Sequence, residues 1–332
     1  MITKIKFGII GCSTIAKKST IPAIINSKNA TLEMIGSRSK IKSKKFANEF
    51  SCQKYGNYQE VLENPNIDAV YISLPMNLHE EWSIKAAKFG KHILCEKSAV
   101  LSYNSAKKVI KKCKDNDVQI MENFVFKSHP QHKKISNMIK NNTIGKIHTF
   151  NAKYGFNLTK SKQNFRFNNA FGGGALNDIG CYLISASKLI FQDLPISVFC
   201  NLDIDKKLKV DYQGNIIMIF PNNKTALISF GYDNYFQSTY EIWGSKGMIK
   251  TDRAFNVPVK MQITLKLYRN DKIKNIIIKP VNQFQLTIEN FCNRLNVTLI
   301  NDNFEKDFLE QALIMDNIRK SSIKNSLINI IN

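Results

Sequence analysis

The first 123 residues alternate between short apolar runs and longer amphipathic stretches. Apolar runs such as Ile5–Ile10 and Ala69–Ser73 are typical of parallel strands buried on both faces. Stretches such as Leu78–Phe89, followed by Gly90, have the spacing and the C-terminal glycine of helices. This alternation predicts a doubly wound parallel α/β sheet with right-handed crossovers. The expected strands are Ile5–Ile10, Thr31–Gly36, Ala69–Ser73, His92–Cys95 and Val118–Glu122, and the expected helices are Ile15–Asn26, Ile41–Phe50, Leu78–Phe89 and Ser102–Lys114.

The pattern changes from about Phe124 onwards, where strand-like runs joined by tight turns become frequent. We therefore expect two domains, residues 1–123 and 124–332, the second an α+β domain with an open, mostly antiparallel sheet. The last helices are expected to pack back on the first domain. The predicted elements are helices at Gln131–Lys140, Ala175–Phe191, Gln285–Leu295 and Phe304–Arg319, an extended segment at Ile147–Phe156, and strands at Ile216–Phe220, Thr225–Phe230, Tyr240–Trp243, Met248–Thr251, Met261–Tyr268 and Lys274–Lys279.

The net charge of +22 is the unusual feature of the composition. The charge is nearly all lysine and is spread along the chain without a helix-turn-helix signal or a basic-aromatic stripe. This favours a generally basic surface over specific nucleic-acid binding, and a basic cleft would also concentrate an anionic cofactor or substrate.

The 7 cysteines are scattered without a Cys-x-x-Cys pair, which fits neither a disulfide framework nor a zinc site. We expect reduced thiols in a cytoplasmic protein, and no metal. No apolar run is long enough to span a bilayer and no signal sequence precedes the first strand, so no membrane partner is expected.

The segment Gly8–Ala16 lies between the first predicted strand and the first predicted helix. A dinucleotide-binding turn needs close approach of the backbone to the pyrophosphate and free N–H groups at the helix start. Gly11 and Ala16 occupy the first and third positions of the glycine fingerprint. Ser13 stands at the middle position, where its hydroxyl can donate to phosphate but its side chain narrows the approach. Taken alone, the segment fits a Rossmann dinucleotide site and a plain strand–turn–helix corner about equally.

Ser37 and Arg38 follow the second predicted strand, where NAD enzymes carry an acidic residue that binds the ribose hydroxyls. No Asp or Glu occupies this strand end. An arginine there accommodates a 2′-phosphate, so NADP is favoured over NAD. A solvated arginine is the alternative interpretation.

Two further segments carry candidate proton-transfer groups. Lys97 follows a predicted strand at the edge where ligands bind in such sheets, although most lysines of so basic a chain lie on the surface. Asp178 and Tyr182 follow the glycine run Gly172–Gly174 and are four residues apart on a predicted helix, so they share one face. A tyrosine near a lysine cation is a reasonable proton donor to an alkoxide. The alternative is a glycine hinge followed by a helix with an Asp near its positive end.

The order and spacing of these motifs resemble the glucose–fructose oxidoreductase/inositol dehydrogenase/rhizopine-catabolism (Gfo/Idh/MocA) family over about residues 4–255. Within the family, Asp178–Tyr182 resembles the branch that contains dihydrodiol dehydrogenases, xylose dehydrogenases and nucleotide-sugar 3-ketoreductases. The matching segments are Gly11–Ala16, Ala69–Pro75 with Asn77 and His79, Gly90–Lys97, Glu122–Phe124, His129–His132, Asn164–Arg166, Gly172–Tyr182 and Tyr240–Gly247.

The resemblance implies a front domain that binds NADP, with NAD as the other candidate, and a second-domain sheet that holds a sugar or nucleotide-sugar. It implies that Lys97 and Tyr182 stabilise and protonate an alkoxide while Asp178 orients sugar hydroxyls. The residues expected at the cofactor are Gly11, Ser13, Thr14, Ile15, Ala16, Ser37, Arg38, Leu74, Pro75, Asn77, His79, Glu96, Asn123 and Arg166.

The expected activity is hydride transfer between the nicotinamide and a keto or hydroxyl carbon of a sugar, with a nucleotide-sugar 3-ketoreductase favoured. A free-sugar or trans-dihydrodiol dehydrogenase, and a catalytically silent NADP-binding sensor or scaffold, are the alternatives. Ser98 stands where the family often has a proline with a cis peptide. Without proline a cis bond costs about 3–4 kcal/mol, so the sequence leaves open whether the Lys97–Ser98 bond is cis or is trans with Lys97 repositioned. A homo-oligomer is expected through alternate side chains of Ile216–Phe220 and Thr225–Phe230, which equally fit packing against a core helix.

Overall fold

The computed structural model describes residues 4–161, 164–296 and 304–330. The chain divides into two compact units. The first comprises Met1–Val125 with Asn282–Leu309, and the second comprises Phe126–Val281 with Glu310–Asn332. Domain limits at residues 123 and 124 stay a prediction.

The first unit is built on a six-stranded sheet in the order β3-β2-β1-β4-β5-β6. All of its strand pairs are parallel, which confirms the predicted doubly wound sheet. The order reverses between β1 and β4, and the crevice at the carboxyl ends of two such strands is where ligands bind in this class of fold. The strands are β1 (Ile5–Ile10), β2 (Ala30–Gly36), β3 (Lys54–Gly56), β4 (Ala69–Ile72), β5 (His92–Cys95) and β6 (Ile120–Glu122).

The helices of this unit follow the predicted pattern with two exceptions. The first predicted helix begins as a π-helical turn (Ala16–Thr20) that continues into α1, and the short α3 was not predicted. Phe291 of α8 packs against Phe7 of β1 with ring centroids 6.1 Å apart, so this late helix belongs to the core of the first unit. The helices are α1 (Ile21–Asn26), α2 (Lys40–Glu49), α3 (Tyr58–Glu63), α4 (His79–Lys88), α5 (Tyr103–Lys114) and, near the end of the chain, α8 (Gln283–Leu295).

The second unit is built on a nine-stranded sheet in the order β14-β13-β12-β11-β7-β10-β9-β8-β15. Among the pairs of described strands, β7 and β10 alone run parallel, which confirms the mostly antiparallel expectation. The strands are β7 (Ile147–Asn157), β8 (Ser197–Ile204), β9 (Asp211–Phe220), β10 (Lys224–Gly231), β11 (Asp233–Gly244), β12 (Gly247–Thr251), β13 (Ile263–Arg269), β14 (Lys272–Ile278) and β15 (Ile328–Asn329). Of these, β8 and β15 were not predicted.

Among the described residues, three helices belong to the second unit wholly or in part: α6 (Pro130–Lys140), α7 (Cys181–Phe191) and α9 (Phe304–Lys324).

The sheet of the second unit has a covered face and an open face. Along β9 and β10, Met218 and Ile228 are buried, whereas Ile217 and Leu227 are 41% and 38% exposed. The alternation thus supplies both a core face and an outward apolar face.

No helix within the described residues is long and apolar enough to cross a membrane. None of the 7 cysteines, which all lie within the described ranges, forms a disulfide bond. In the same parts of the chain, no group of three or more His, Cys, Asp or Glu side chains is arranged to hold a metal ion.

Candidate active site

The turn after β1 is shaped by Gly11. Its φ is +112°, and a Cβ at this position would lie 2.9 Å from the carbonyl oxygen of Ser73, just beyond β4. The hydroxyl of Ser73 donates to the carbonyl oxygen of Gly11 at 2.9 Å. Only glycine fits a backbone conformation and an approach of this kind. The need for glycine at the first fingerprint position is therefore steric.

Ser13 caps the start of the following helix. Its Oγ accepts a hydrogen bond from the backbone N–H of Ala16 at 3.1 Å, as an N-cap serine does. Thr14 and Ile15 are exposed beside it, while Ala16 is fully buried. The serine in place of glycine therefore caps the helix, and residues 13–15 remain at least partly accessible to solvent.

The end of β2 carries Ser37 and Arg38. Ser37 is buried and its N–H donates to the carbonyl oxygen of Gly56 at 3.0 Å, whereas Arg38 is exposed. Burial raises the pKa of the Tyr58 phenol, and its hydrogen bonds with Arg38 oppose that rise. An exposed guanidinium with a tyrosine beside it, and no carboxylate on the strand end, is a suitable contact for a phosphate.

The loop after β4 contains four of the expected cofactor residues. Leu74 and Pro75 are half-buried, Asn77 is exposed and His79 is buried. Nε2 of His79 lies 2.9 Å from the carbonyl oxygen of Leu74, and Nδ1 lies 3.0 Å from that of Ser98. Burial lowers the pKa of His79, and a neutral imidazole has one N–H for these two carbonyls. His79 therefore links the loops that follow β4 and β5.

Glu96 is fixed from within the first unit. Its Oε1 accepts hydrogen bonds from Oη of Tyr71 at 2.7 Å and from Nδ2 of Asn123 at 2.6 Å. Burial raises the pKa of Glu96, and these two donors oppose the rise. Oδ1 of Asn123 is buried and has no hydrogen-bond partner among the described residues, which leaves an acceptor for a ligand. Lys97 therefore directly follows a residue whose side chain is held in place by two hydrogen bonds.

The peptide bond between Lys97 and Ser98, whose geometry the sequence left open, is cis. Side chains of neighbouring segments contact the residues that follow this bond. The Ser98 carbonyl oxygen faces His79, and the N–H of Ala99 donates to Oε1 of Glu122 at 2.9 Å. Ser98 is buried and Lys97 is half-buried.

In the second unit, Asp178 lies in a π-helical turn (Leu176–Gly180) that leads into α7. Its Oδ2 accepts a hydrogen bond from Nε of Arg166 at 2.6 Å and lies 3.2 Å from Oη of Tyr232. The guanidinium of Arg166 also lies 4.8 Å from the ring centre of Phe165. The structure thus brings Asp178 and Arg166 together as an ion pair; their roles towards sugar and cofactor stay predictions.

Tyr182 is the second residue of α7 and is only 5% exposed. Its ring centre lies 5.8 Å from those of Phe126 and Tyr154 and 5.7 Å from that of Phe255. These aromatic rings form a largely apolar wall, within which hydrogen bonds to the phenol are stronger than in water.

His132, in the segment His129–His132 that resembles the family, has a structural role. Its Nδ1 lies 2.7 Å from Oη of Tyr240, and its Nε2 lies 3.1 Å from the carbonyl oxygen of Ala254. Burial lowers the pKa of His132 to about 3, so the ring is neutral and accepts from Tyr240 while donating to Ala254. The motif therefore ties α6 to the β11–β12 region of the same unit.

Sequence reasoning missed the two tyrosines that touch the candidate carboxylates, Tyr71 and Tyr232. A phenol in the middle of the apolar run Ala69–Ile72 was a usable signal, because a buried hydroxyl needs a partner. Tyr232 lies alone between two strands and gave no such signal.

The fold and these residues together define a two-unit oxidoreductase with a dinucleotide-binding first unit. Comparison with known proteins agrees. Residues 5–124 match the family model described as "Oxidoreductase family, NAD-binding Rossmann fold", and residues 132–250 match the "GFO/IDH/MocA C-terminal domain". The chain belongs to the Gfo/Idh/MocA family, and it is an NAD(P)-dependent oxidoreductase that acts on CH–OH groups.

Several relatives are similar over nearly the whole chain. The dTDP-3,4-didehydro-2,6-dideoxy-alpha-D-glucose 3-reductase of Actinomadura kijaniata is 31% identical over 316 residues, covering 95% of both chains. The D-xylose 1-dehydrogenase (NADP(+)) 2 of Haloferax volcanii is 28% identical, covering 86% of this chain and 87% of the relative. A crystal structure of a 3-ketoreductase from Actinomadura kijaniata with NADP and TDP-benzene has a TM-score of 0.90 at 30% identity, covering 96% of this chain and 98% of that one.

Proposed function

We propose that this protein is an NADPH-dependent reductase of a keto group at C3 of a nucleotide-linked sugar. The observation that carries the proposal is the match to a dTDP-sugar 3-reductase along 95% of both chains. The net charge of +22 also suits a substrate with a negatively charged diphosphate.

The residues present fit a dinucleotide. The glycine at position 11 leaves a space beside Ser73 that a side chain would fill, and backbone approach to a pyrophosphate needs such a space. The exposed guanidinium of Arg38, with no carboxylate on the strand end, supports a 2′-phosphate and hence NADP. When bound, NADPH supplies the hydride. The residues proposed to hold it are the fourteen cofactor residues predicted from the sequence.

Lys97 and Tyr182 are the proposed catalytic residues. Tyr182 would donate the proton of its hydroxyl to the oxygen that develops negative charge, and the Lys97 ammonium would stabilise that oxygen and the phenolate left behind. Glu96, held by Tyr71 and Asn123, would position Lys97. The related 3-ketoreductase has been solved with a tyrosine changed to phenylalanine and with a lysine changed to alanine or glutamate, the same two residue types.

A homo-oligomer is also proposed, formed through the outward face of the nine-stranded sheet. Ile217 and Leu227 are paired across β9 and β10, and Trp243 of β11 is 64% exposed. Exposed apolar residues grouped on a sheet face mark a contact surface.

The test is NADPH oxidation, followed by absorbance, with a TDP-linked 3-keto sugar and with unlinked sugars as the alternative substrates. We expect turnover of the TDP-linked sugar. The double variant Tyr182→Phe with Lys97→Ala should reduce kcat by about 10³-fold or more while the NADPH dissociation constant changes less than about threefold. Reduction of NADP+ by free xylose or a dihydrodiol in a parallel assay, with no turnover of the TDP-linked sugar, would favour the dehydrogenase alternative. Unchanged turnover in the double variant would rule out the proposed mechanism.

A further inference from the structure

The helix that carries Asp178 and Tyr182 has no cap of its own. Its N-cap residue is Ala175, which makes no side-chain capping hydrogen bond. The first N–H groups of a helix lack partners within the helix and need an acceptor from elsewhere. The glycine run Gly172–Gly174 that precedes the helix has no side chains to supply one.

Asp211, the first residue of β9, supplies this acceptor across the fold. Its Oδ2 accepts a hydrogen bond from the N–H of Leu176 at 2.5 Å. The neighbouring Gly174 has a φ of +117°, and a Cβ on it would overlap Oδ1 of Asp211. The glycine therefore permits both the turn and the approach of the carboxylate, and a negative charge at a helix N-terminus is favourable.

Residues of α9 hold the same helix start from another side. Nη2 of Arg319 donates to Oδ1 of Asn177 at 2.5 Å, and Nε2 of Gln311 donates to the carbonyl oxygen of Cys181 at 3.1 Å. These contacts hold Asn177 and Cys181, whereas Asp211 holds the N–H of Leu176 at the N-terminal end of the helix.

We propose that Asp211 is a positioning residue, which orders the start of this helix and so sets the place of Asp178 and Tyr182. The proposal rests on the proposed function, because it assigns the effect of Asp211 to the residues that act there. Catalytic geometry tolerates little displacement: a shift of about 1 Å can reduce turnover about 100-fold.

The titration of Asp211 gives the proposal a pH signature. Burial raises the pKa of Asp211 to about 6, opposed by the N–H groups of Leu176 and Ala175 and by the Arg319 charge. Tyr232 and Cys200 also face it, and its charge raises the pKa of each. Because the folded-state pKa is raised above the ordinary value of 3.8, the carboxylate costs folding stability as the pH rises through about 6. The same ionisation strengthens the hold on the helix start, so order at Leu176 should increase over this range.

The experiment compares Asp211→Ala, Asp211→Asn and a matched control, Asp203→Asn, an exposed Asp on β8. Hydrogen–deuterium exchange of the peptide that spans Leu176–Tyr182 reports helix order without any substrate. Steady-state kinetics with the TDP-linked keto sugar from pH 5 to pH 8 report the consequence for turnover.

In Asp211→Ala we expect faster exchange in this peptide and a kcat about 10–100-fold lower, with the NADPH dissociation constant within about twofold. The kcat of the wild type should fall below pH 6 as Asp211 becomes protonated. Asp211→Asn keeps an acceptor oxygen but, like the protonated carboxyl, carries no charge. Its kcat should therefore lie between those of Asp211→Ala and of the wild type at pH 8, and should not change between pH 8 and pH 5. Asp203→Asn should behave as the wild type. An acid limb that persists in Asp211→Asn, or exchange unchanged in Asp211→Ala, would overturn the proposal. If the wild type binds NADPH but reduces no nucleotide-linked sugar, the proposed function fails, and the exchange measurement still decides whether Asp211 orders the helix.

Discussion

Replacing Gly11 with alanine tests the cofactor turn most directly. An L-residue with a side chain at positive φ costs about 1–2 kcal/mol. The added Cβ would also lie 2.9 Å from the Ser73 carbonyl oxygen, which is backbone and cannot rotate away. Forcing a methyl group into a filled space costs about 1–3 kcal/mol. We therefore expect Gly11→Ala to lower the free energy of unfolding by about 2–5 kcal/mol.

Gly90→Ala is the matched control for this change. Gly90 has a φ of +66°, but a Cβ there would meet nothing within 4 Å. It should therefore show the conformational cost alone, about 1–2 kcal/mol. Urea unfolding measures both variants, and nicotinamide fluorescence measures NADPH binding.

The two variants should differ in cofactor affinity as well. Because relief of the contact at Gly11 must move the turn or the end of β4, we expect NADPH affinity to fall more than about tenfold, or about 1.4 kcal/mol. Gly90→Ala, at the end of α4, should leave NADPH binding unchanged. Equal destabilisation of the two variants together with unaltered NADPH binding in Gly11→Ala would refute this account of the turn.

Three further measurements follow from the same structure. Arg38→Ala should weaken NADPH binding about 10–100-fold and change NADH binding less than about twofold in fluorescence titrations, because only NADPH carries the 2′-phosphate; equal losses for both would exclude a phosphate contact. Because the pKa of His132 is lowered to about 3, its contribution to stability is present above the ordinary pKa of 6.5 and is lost as the pH falls. His132→Gln should therefore flatten the pH dependence of urea unfolding between pH 6 and pH 4 by up to about 1.4 kcal/mol per pH unit, and an unchanged slope would contradict the assignment. Leu227→Asp on the outward sheet face should reduce the mass measured by light scattering towards the 37.9 kDa of one chain, whereas a wild type that is already monomeric would exclude this interface.

The sequence predicted those features of the site that depend on neighbouring residues. The strand–turn–helix segment with Gly11, the strand end with Arg38 and the glycine run before Asp178 were each recognisable within a few positions. Their chemistry is local, because a turn, a strand end or a helix start is decided by the residues that form it. The unpredicted β3 and α3 are too short to show a clear hydrophobic period.

The contacts that hold the candidate side chains were not accessible in this way. Tyr71 reaches Glu96 from 25 positions away, and Asp211 reaches Leu176 from 35 positions away. The geometry of the Lys97–Ser98 bond, which residue type alone left open, is also given only by the structure.

The sequence by itself thus determined most of the strands and helices, the class of fold and the positions of the chemical groups along the chain. Local periodicity and turn residues carry that information, because backbone sterics and hydrophobic spacing act over a few residues. Only the tertiary structure decided that Asp178 pairs with Arg166, and that Asp211 rather than a neighbouring residue caps the Tyr182 helix. Burial removes such groups from water, so each must find a partner wherever the packed chain brings one.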